Sequence, residues 1–165
     1  MAAEVGHTIS TPRASLVPLE TDRPWVPSLG GLSLRNVAAT SVIGGRRVES
    51  EFGEMLFTHF GMSGPIILSL SRQIALALTR GCNSVGIELD LKPALTVEQL
   101  DARIQRDFAR YPEREIHNAL FDLVPRSLAP VVLQEAEIPT TTRVAQITRS
   151  ERLRLGRTLK GLMLH

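Results

Sequence analysis

SVGIELDLKPALTVEQLDARIQRDF, residues Ser84–Phe108, is the stretch that decides the fold. Its first part alternates with period two. Val85, Ile87, Leu89 and Leu91 fall on one face, the pattern of a half-buried β-strand. Glu88 and Asp90 fall on the opposite face, which reads as solvated. Between 92 and 95 the pattern changes. Thr96-Val-Glu-Gln99 is a capping box, and Val97, Leu100, Ile104 and Phe108 then form the apolar stripe of a helix. Strand logic gives way to helix logic at this point.

Toward the N-terminus the strand reading continues. His7-Thr-Ile-Ser-Thr11 and Ser15-Leu-Val-Pro-Leu19 read as short extended runs interrupted by proline. Pro24–Gly31 reads as a loop, with Trp25 its anchor. Leu32–Ile43 alternates imperfectly: Leu32, Leu34 and then Val37 lie on changing faces, as beside a bulge. Gly44-Gly45 is a hairpin turn, with Arg46–Phe52 returning and Glu54–Thr58 still extended. One helix interrupts this half, starting at Gly64-Pro65 and running to Leu78, with Ile67, Leu70, Ile74, Ala77 and Leu78 at helical spacing. Cys82, between Gly81 and Asn83, reads as a turn residue.

Toward the C-terminus the pattern is helical. Tyr111-Pro112 ends the helix that Thr96 starts. Glu115–Val124 and Arg126–Ala136, with Pro130 in the first turn of the latter, are the next two. Thr148-Arg-Ser-Glu151 is a second capping box, before a helix over Leu153–Leu162. The expected fold is therefore α+β. A small barrel-like antiparallel sheet covers about 7–92, with the helix at 65–78, and a helical bundle covers about 95–162.

Composition bounds the function. At 165 residues, with 43% hydrophobic, the chain suits one globular domain or two small subdomains. Aromatics are only 4%, so aliphatic side chains fill the core and stacking platforms for single-stranded nucleic acid are not expected. A formal charge of +2 does not imply a nucleic-acid partner by itself. The single cysteine excludes an internal disulfide and fits a reducing, cytoplasmic setting. No apolar run approaches the roughly 20 residues of a membrane helix. His7, His59, His117 and His165 have no ligand-like spacing, so no metal is expected. The chain ends on Leu162-Met-Leu-His165, an apolar stretch without a polar tail, which reads as a piece of a longer protein.

Two segments carry chemistry as well as structure. In Gly53-Glu-Met-Leu-Phe-Thr-His-Phe-Gly-Met-Ser-Gly-Pro65 the reading places a strand, a tight Gly-x-x-Gly turn and a helix N-terminus in sequence. Free N–H groups and the positive helix end there suit an anion or the polar edge of a cofactor. Phe57, Thr58, His59, Phe60, Gly61, Ser63, Gly64 and Pro65 are the candidate site. His59 and Ser63 are its catalytic candidates, histidine because an imidazole exchanges protons near neutral pH. The plainer reading is that the glycines turn the chain, Ser63 or Gly64 caps, and His59 packs. The second segment is basic: Arg149, Arg152, Arg154, Arg157 and Lys160 against Glu151. It reads as an RNA-facing helix through Arg149, Arg152, Arg157 and Lys160, or as a solvated face or one that meets an acidic neighbour.

The segment GEMLFTHFGMSGPIIL (residues 53–68) resembles the signature of a bacterial flavoprotein family, the aminoacetone-oxidase-like, or BaiN/RdsA-type, NAD(P)/FAD-dependent oxidoreductases. Gly6-His-Thr-Ile9, Leu16-Val-Pro-Leu19, Leu32–Val37, Asn118-Ala-Leu120, Leu123-Val-Pro-Arg126 and Leu159-Lys160 agree in order. The resemblance implies an insert domain, part barrel and part helices, set within a two-part FAD-binding domain. FAD then belongs to the parent protein and none is expected on this piece, which is inactive alone. Its partner is the FAD-binding domain of its own chain, over whose flavin it forms a substrate-side lid. RNA or a small molecule is the substrate.

Overall fold

The computed structural model describes residues 5–6 and 14–165. The extended run expected at 7–11 lies outside them, apart from which the elements follow the chain in order. Strand β1 is Leu19–Glu20, β2 Ser33–Ile43, β3 Arg46–Phe57 and β4 Gly61–Ser63. Helix α1 is Pro65–Thr79 and strand β5 Val85–Asp90. Helices α2 (Val97–Arg110), α3 (Ile116–Ala119), α4 (Ala129–Glu135) and α5 (Arg149–Lys160) follow, and strand β6 is Leu162–Leu164.

The six strands form one sheet in the order β1-β4-β3-β2-β5-β6, every neighbouring pair antiparallel. The sheet curls into a half-barrel around α1. The edges nearly meet, since the Asp22 amide donates to the His165 carbonyl at 3.3 Å. Gly44 and Gly45 both have positive φ (57° and 75°), the geometry of a two-residue type I′ turn, so β2 and β3 pair from Ile43 and Arg46 outward.

The expected bulge sits at Asn36, whose φ is 56°. Register runs from Leu34 opposite Met55 to Val37 opposite Gly53, leaving one extra residue on β2. The inward parity switches there, from Leu34 to Val37, Ala39 and Ser41. A Cβ on Gly53 would lie 2.9 Å from Ile66, so the bulge also lets α1 approach the sheet.

Helix α1 buries Ile66, Ile67, Leu70 and Ile74 against Met55 and Phe57 of β3 and Ile87 and Leu89 of β5. Ser71 is wholly buried, yet satisfied: its hydroxyl donates to the Leu68 carbonyl and accepts from the Val17 amide. That bond holds residues 14–18 across α1. The loop 24–31 contains a 3₁₀ turn, Val26–Leu29. Trp25 packs edge-on to Phe57, and its indole N–H donates to Glu135 of α4 at 2.9 Å. This residue joins half-barrel to bundle.

Both capping boxes form, with Thr96 and Gln99 bonding reciprocally, as do Thr148 and Glu151. Leu100, Ile104 and Phe108 of α2 and Leu155 and Leu159 of α5 belong to one continuous core. The helix expected over 115–124 is shorter, since α3 passes into a 3₁₀ turn at Leu120–Asp122 ahead of Pro125, which disfavours helical conformation in the residue before it. The C-terminus differs most. Helix α5 stops at Lys160, and Leu162-Met-Leu164 is a strand paired with β5, not a helix end. Leu162 and Leu164 are 1% exposed, so the apolar ending is core.

Candidate functional site

The 57–65 segment forms a hairpin followed by a helix, and the strand between them separates its parts. Phe57 ends β3 wholly buried. Thr58 closes the turn: its amide donates to the Gly61 carbonyl at 2.9 Å and its hydroxyl accepts from the Gly61 amide at 3.0 Å. His59 and Phe60 occupy the exposed tip, their rings perpendicular with centroids 4.9 Å apart. Gly61-Met-Ser63 is strand β4, not the tight turn expected from its two glycines. Gly61 is required because a Cβ there would overlap the Leu19 carbonyl of β1. Gly64 is required twice over, with φ 96° and a would-be Cβ 2.8 Å from the Met55 Cα.

Three paired residues span about 10 Å, so His59 stands at one end of β4 and the start of α1 at the other. The structure does not bring them together. Ser63 lies opposite Leu56 in the β3–β4 pair and does not cap α1, whose N-cap, Gly64, has no side-chain bond. Pro65 takes the first helical position, as its fixed φ favours.

Two surfaces were not legible in sequence. Phe52 and Leu56 point outward from β3, and with Phe60 at the tip they leave apolar side chains in solvent on one hairpin. At the barrel seam a cavity of about 280 Å³ opens between the sheet edges and the end of α1, lined by Leu19, Met62, Ile74, Leu78, Ile87 and Leu164. Its walls come from both ends of the chain, so no local motif announces it.

Residues 13–165 match the family model described as HI0933-like protein barrel and H2TH domain. The chain belongs to this family. The HI0933-like domain is 30% identical over 138 residues to a ribosomal RNA dihydrouridine synthase of Haemophilus influenzae, covering 82% of this chain and 30% of the relative. It is 28% identical over 140 residues to a 3-dehydro-bile acid delta(4,6)-reductase of Clostridium scindens, covering 84% and 33%. The chain spans about a third of the length of these curated relatives. The matches establish a distant relationship to the FAD-dependent oxidoreductase superfamily.

The described residues of this HI0933-like domain do not form a flavin-dinucleotide cradle. Such a cradle needs a parallel βαβ unit whose glycine-rich turn delivers the pyrophosphate to a helix N-terminus. Here every strand pairing is antiparallel, and α1 follows a three-residue hairpin strand. No group of metal-ligating side chains is found among the described residues, and no described helix is long and apolar enough to cross a membrane.

The basic helix proves to be α5, and its cations divide. Arg149 and Arg157 are exposed. Arg152 is not free to face RNA, because its Nε lies 2.7 Å from Asp101 of α2. Lys160 is likewise committed, 2.5 Å from Asp90 of β5 and donating to the Lys92 and Leu95 carbonyls at 3.1 and 2.8 Å. Arg154 donates to the Ala136 carbonyl at 2.5 Å. Glu88, expected on a solvated face, pairs with Arg47 at 2.6 Å, and Asp90 with Lys160.

Hydrogen bonding from Arg152, with Gln105 and the nearby guanidinium charges, holds the Asp101 carboxyl below the usual carboxylate range. A lowered folded-state value contributes stability that is complete above the unfolded carboxylate's range and lost as pH falls through the folded value. For this partly exposed pair the contribution is up to about 1 kcal/mol. Thermal melts should therefore separate the native chain from Asp101→Asn at pH 6, and the separation should shrink as pH falls through the lowered folded-state value.

Proposed function

We propose that this domain is an insert within a longer flavin-dependent oxidoreductase of the aminoacetone-oxidase-like, BaiN/RdsA type, where it forms the substrate-side lid. The flavin belongs to the rest of that longer chain. One observation carries the reading: the half-barrel and its helices match only about a third of the length of the curated relatives, so most of such a chain lies outside this domain. Within the domain the Asp22 amide lies 3.3 Å from the His165 carbonyl, so the stretches bordering β1 and β6 lie together, an arrangement that favours insertion into a host with little disturbance to either fold.

Further support comes from the relatives. The names of both describe redox chemistry, and each is about three times the length of this chain. The β3–β4 hairpin, with Phe52, Leu56 and Phe60 exposed, supplies an apolar face for a covering partner. In this reading the tip residues Thr58, His59 and Phe60 meet the host at the interdomain cleft. Ser63, Gly64 and Pro65 set the hairpin's angle on α1 and touch no ligand. The substrate, RNA or a small molecule, lies between the two parts.

Titrating this chain with FAD and following the flavin absorbance tests the assignment. The expected result is no saturable change at equimolar protein. Tight one-to-one binding would overturn it, since the dinucleotide site would then lie within these residues.

A further inference from the structure

Helix α2 carries a second basic surface that the charge pattern of α5 conceals in the sequence. Leu100, Ile104 and Phe108 define its buried face. Asp101 lies on one flank and holds Arg152 of α5. Arg103, Arg106 and Arg110 lie on the other, at helical spacings of three and four. Together with Asp107 they line a hollow of about 250 Å³.

The charges there are unbalanced. Asp107, 4% exposed, accepts from Arg103 at 2.7 Å and fixes that guanidinium in place. Arg106 and Arg110 are exposed and have no ion-pair partner among the described residues. Lys92 continues the patch: burial and then the Arg103 charge hold its ammonium below its usual value. Lys92 and Arg35 line a neighbouring cavity of about 100 Å³. Like charges spaced three and four apart on one helix repel, and a bound polyanion removes that penalty. On α5, by contrast, Arg152 and Lys160 are paired with carboxylates inside the fold, and Arg154 is held on the Ala136 carbonyl.

We propose that Arg106 and Arg110, with Lys92 and the Asp107-paired Arg103 beside them, form a binding site for the sugar-phosphate backbone of a nucleic-acid duplex. Arg106 to Arg110 spans about 6 Å at 1.5 Å per residue. A duplex strand carries a phosphate every ~3.4 Å of axis, so the two exposed guanidinium groups face about two of them. Guanidinium groups suit phosphate oxygens because their planar forks donate two parallel hydrogen bonds. A membrane surface fits less well, because the large exposed apolar side chains lie elsewhere, on the sheet, the loops, the end of α1 and the first residue of α2. The site stands apart from the flavin reading and does not depend on it.

The test is fluorescence anisotropy of a 16-base-pair RNA duplex and a DNA duplex of the same sequence, across a salt series. Arg106→Gln with Arg110→Gln should weaken binding at least tenfold at low salt and reduce the slope of log K against log salt by about two. Arg106→Lys with Arg110→Lys, which keeps the charge but not the planar fork, should restore the native salt slope while leaving affinity below that of the native chain. Arg149→Gln with Arg157→Gln should change affinity less than twofold. Thermal melts check that each variant is folded. A parallel loss on RNA and DNA, or one confined to RNA, supports backbone recognition and tells which duplex is the ligand. An unchanged affinity in the Gln pair, an equal loss in the α5 pair, or displacement of RNA by polyglutamate at equal charge would overturn the proposal. The last outcome would make the ridge a surface for an acidic protein.

Discussion

Replacing Gly64 with alanine is expected to destabilise the domain by about 4 kcal/mol, which lowers the melting temperature by about 12 °C in a chain of this size. Two effects add. At φ 96° an L-residue is strained, which costs about 1–3 kcal/mol. The new Cβ would also stand 2.8 Å from the Met55 Cα, and forcing extra volume into packed backbone costs a further ~1–3 kcal/mol. The Met55 backbone cannot yield, because Met55 is wholly buried in β3. Gly81 is the control. Its φ is 81°, but a Cβ there meets nothing within 4 Å. Gly81→Ala should therefore cost only the strain, about 1 kcal/mol. Equal losses at the two positions, measured by denaturant melts, would show that the packing of Gly64 against β3 is not what demands glycine there.

Lys160→Met should cost about 3 kcal/mol. Beside the Leu91 amide, which donates to the Leu159 carbonyl, its ammonium ties the end of α5 to the sheet, bonding the Asp90 carboxylate and two carbonyls of the 92–95 connection. Breaking a buried pair from one side leaves the partner uncompensated, about 3–5 kcal/mol when fully buried. Both side chains here retain about a fifth of their exposure, 20% and 23%, which places the expectation at the lower end. A double-mutant cycle with Asp90→Asn should return a coupling energy above about 1 kcal/mol. Arg157→Met, on the exposed face of the same helix, should stay within about 0.5 kcal/mol of the native chain. If the two methionine variants melt together, Lys160 is a surface cation and the fastening role is wrong.

Local rules made most of the architecture readable. The alternation over Val85–Leu91, the two glycines at 44 and 45, Pro65 at a helix start and both capping boxes each act within a few residues, and each forms as read. The bulge at Asn36 was legible for the same reason, since it shows as a change of parity along one strand. What escaped was short or long-range. Strand β4 has two glycines bounding it and no β-branched residue, so it looks like a turn until β1 and β3 are placed on either side. Strand β6 is three residues long and directly follows a helix, so Leu162 and Leu164 read as more of the helical stripe. The pairing of Arg152 with Asp101 joins residues 51 apart, and that of Lys160 with Lys92 joins residues 68 apart. No sequence pattern distinguishes such fastened cations from free ones. The 57–65 segment was thus legible as a stretch of chain but not as a shape: its residues divide between a hairpin tip and a helix start.

In the proposed reading the domain closes on itself at one seam and covers a flavin held elsewhere in the longer chain. The most direct measurement removes residues 14–165, all six strands included, from the longer chain and bridges the ends with a flexible glycine-serine linker, then compares flavin content and turnover. One FAD per chain should remain, while turnover falls at least about 100-fold, the scale of effect expected when a substrate-positioning part is lost. Loss of the flavin along with the domain, or turnover that survives its removal, would contradict the account.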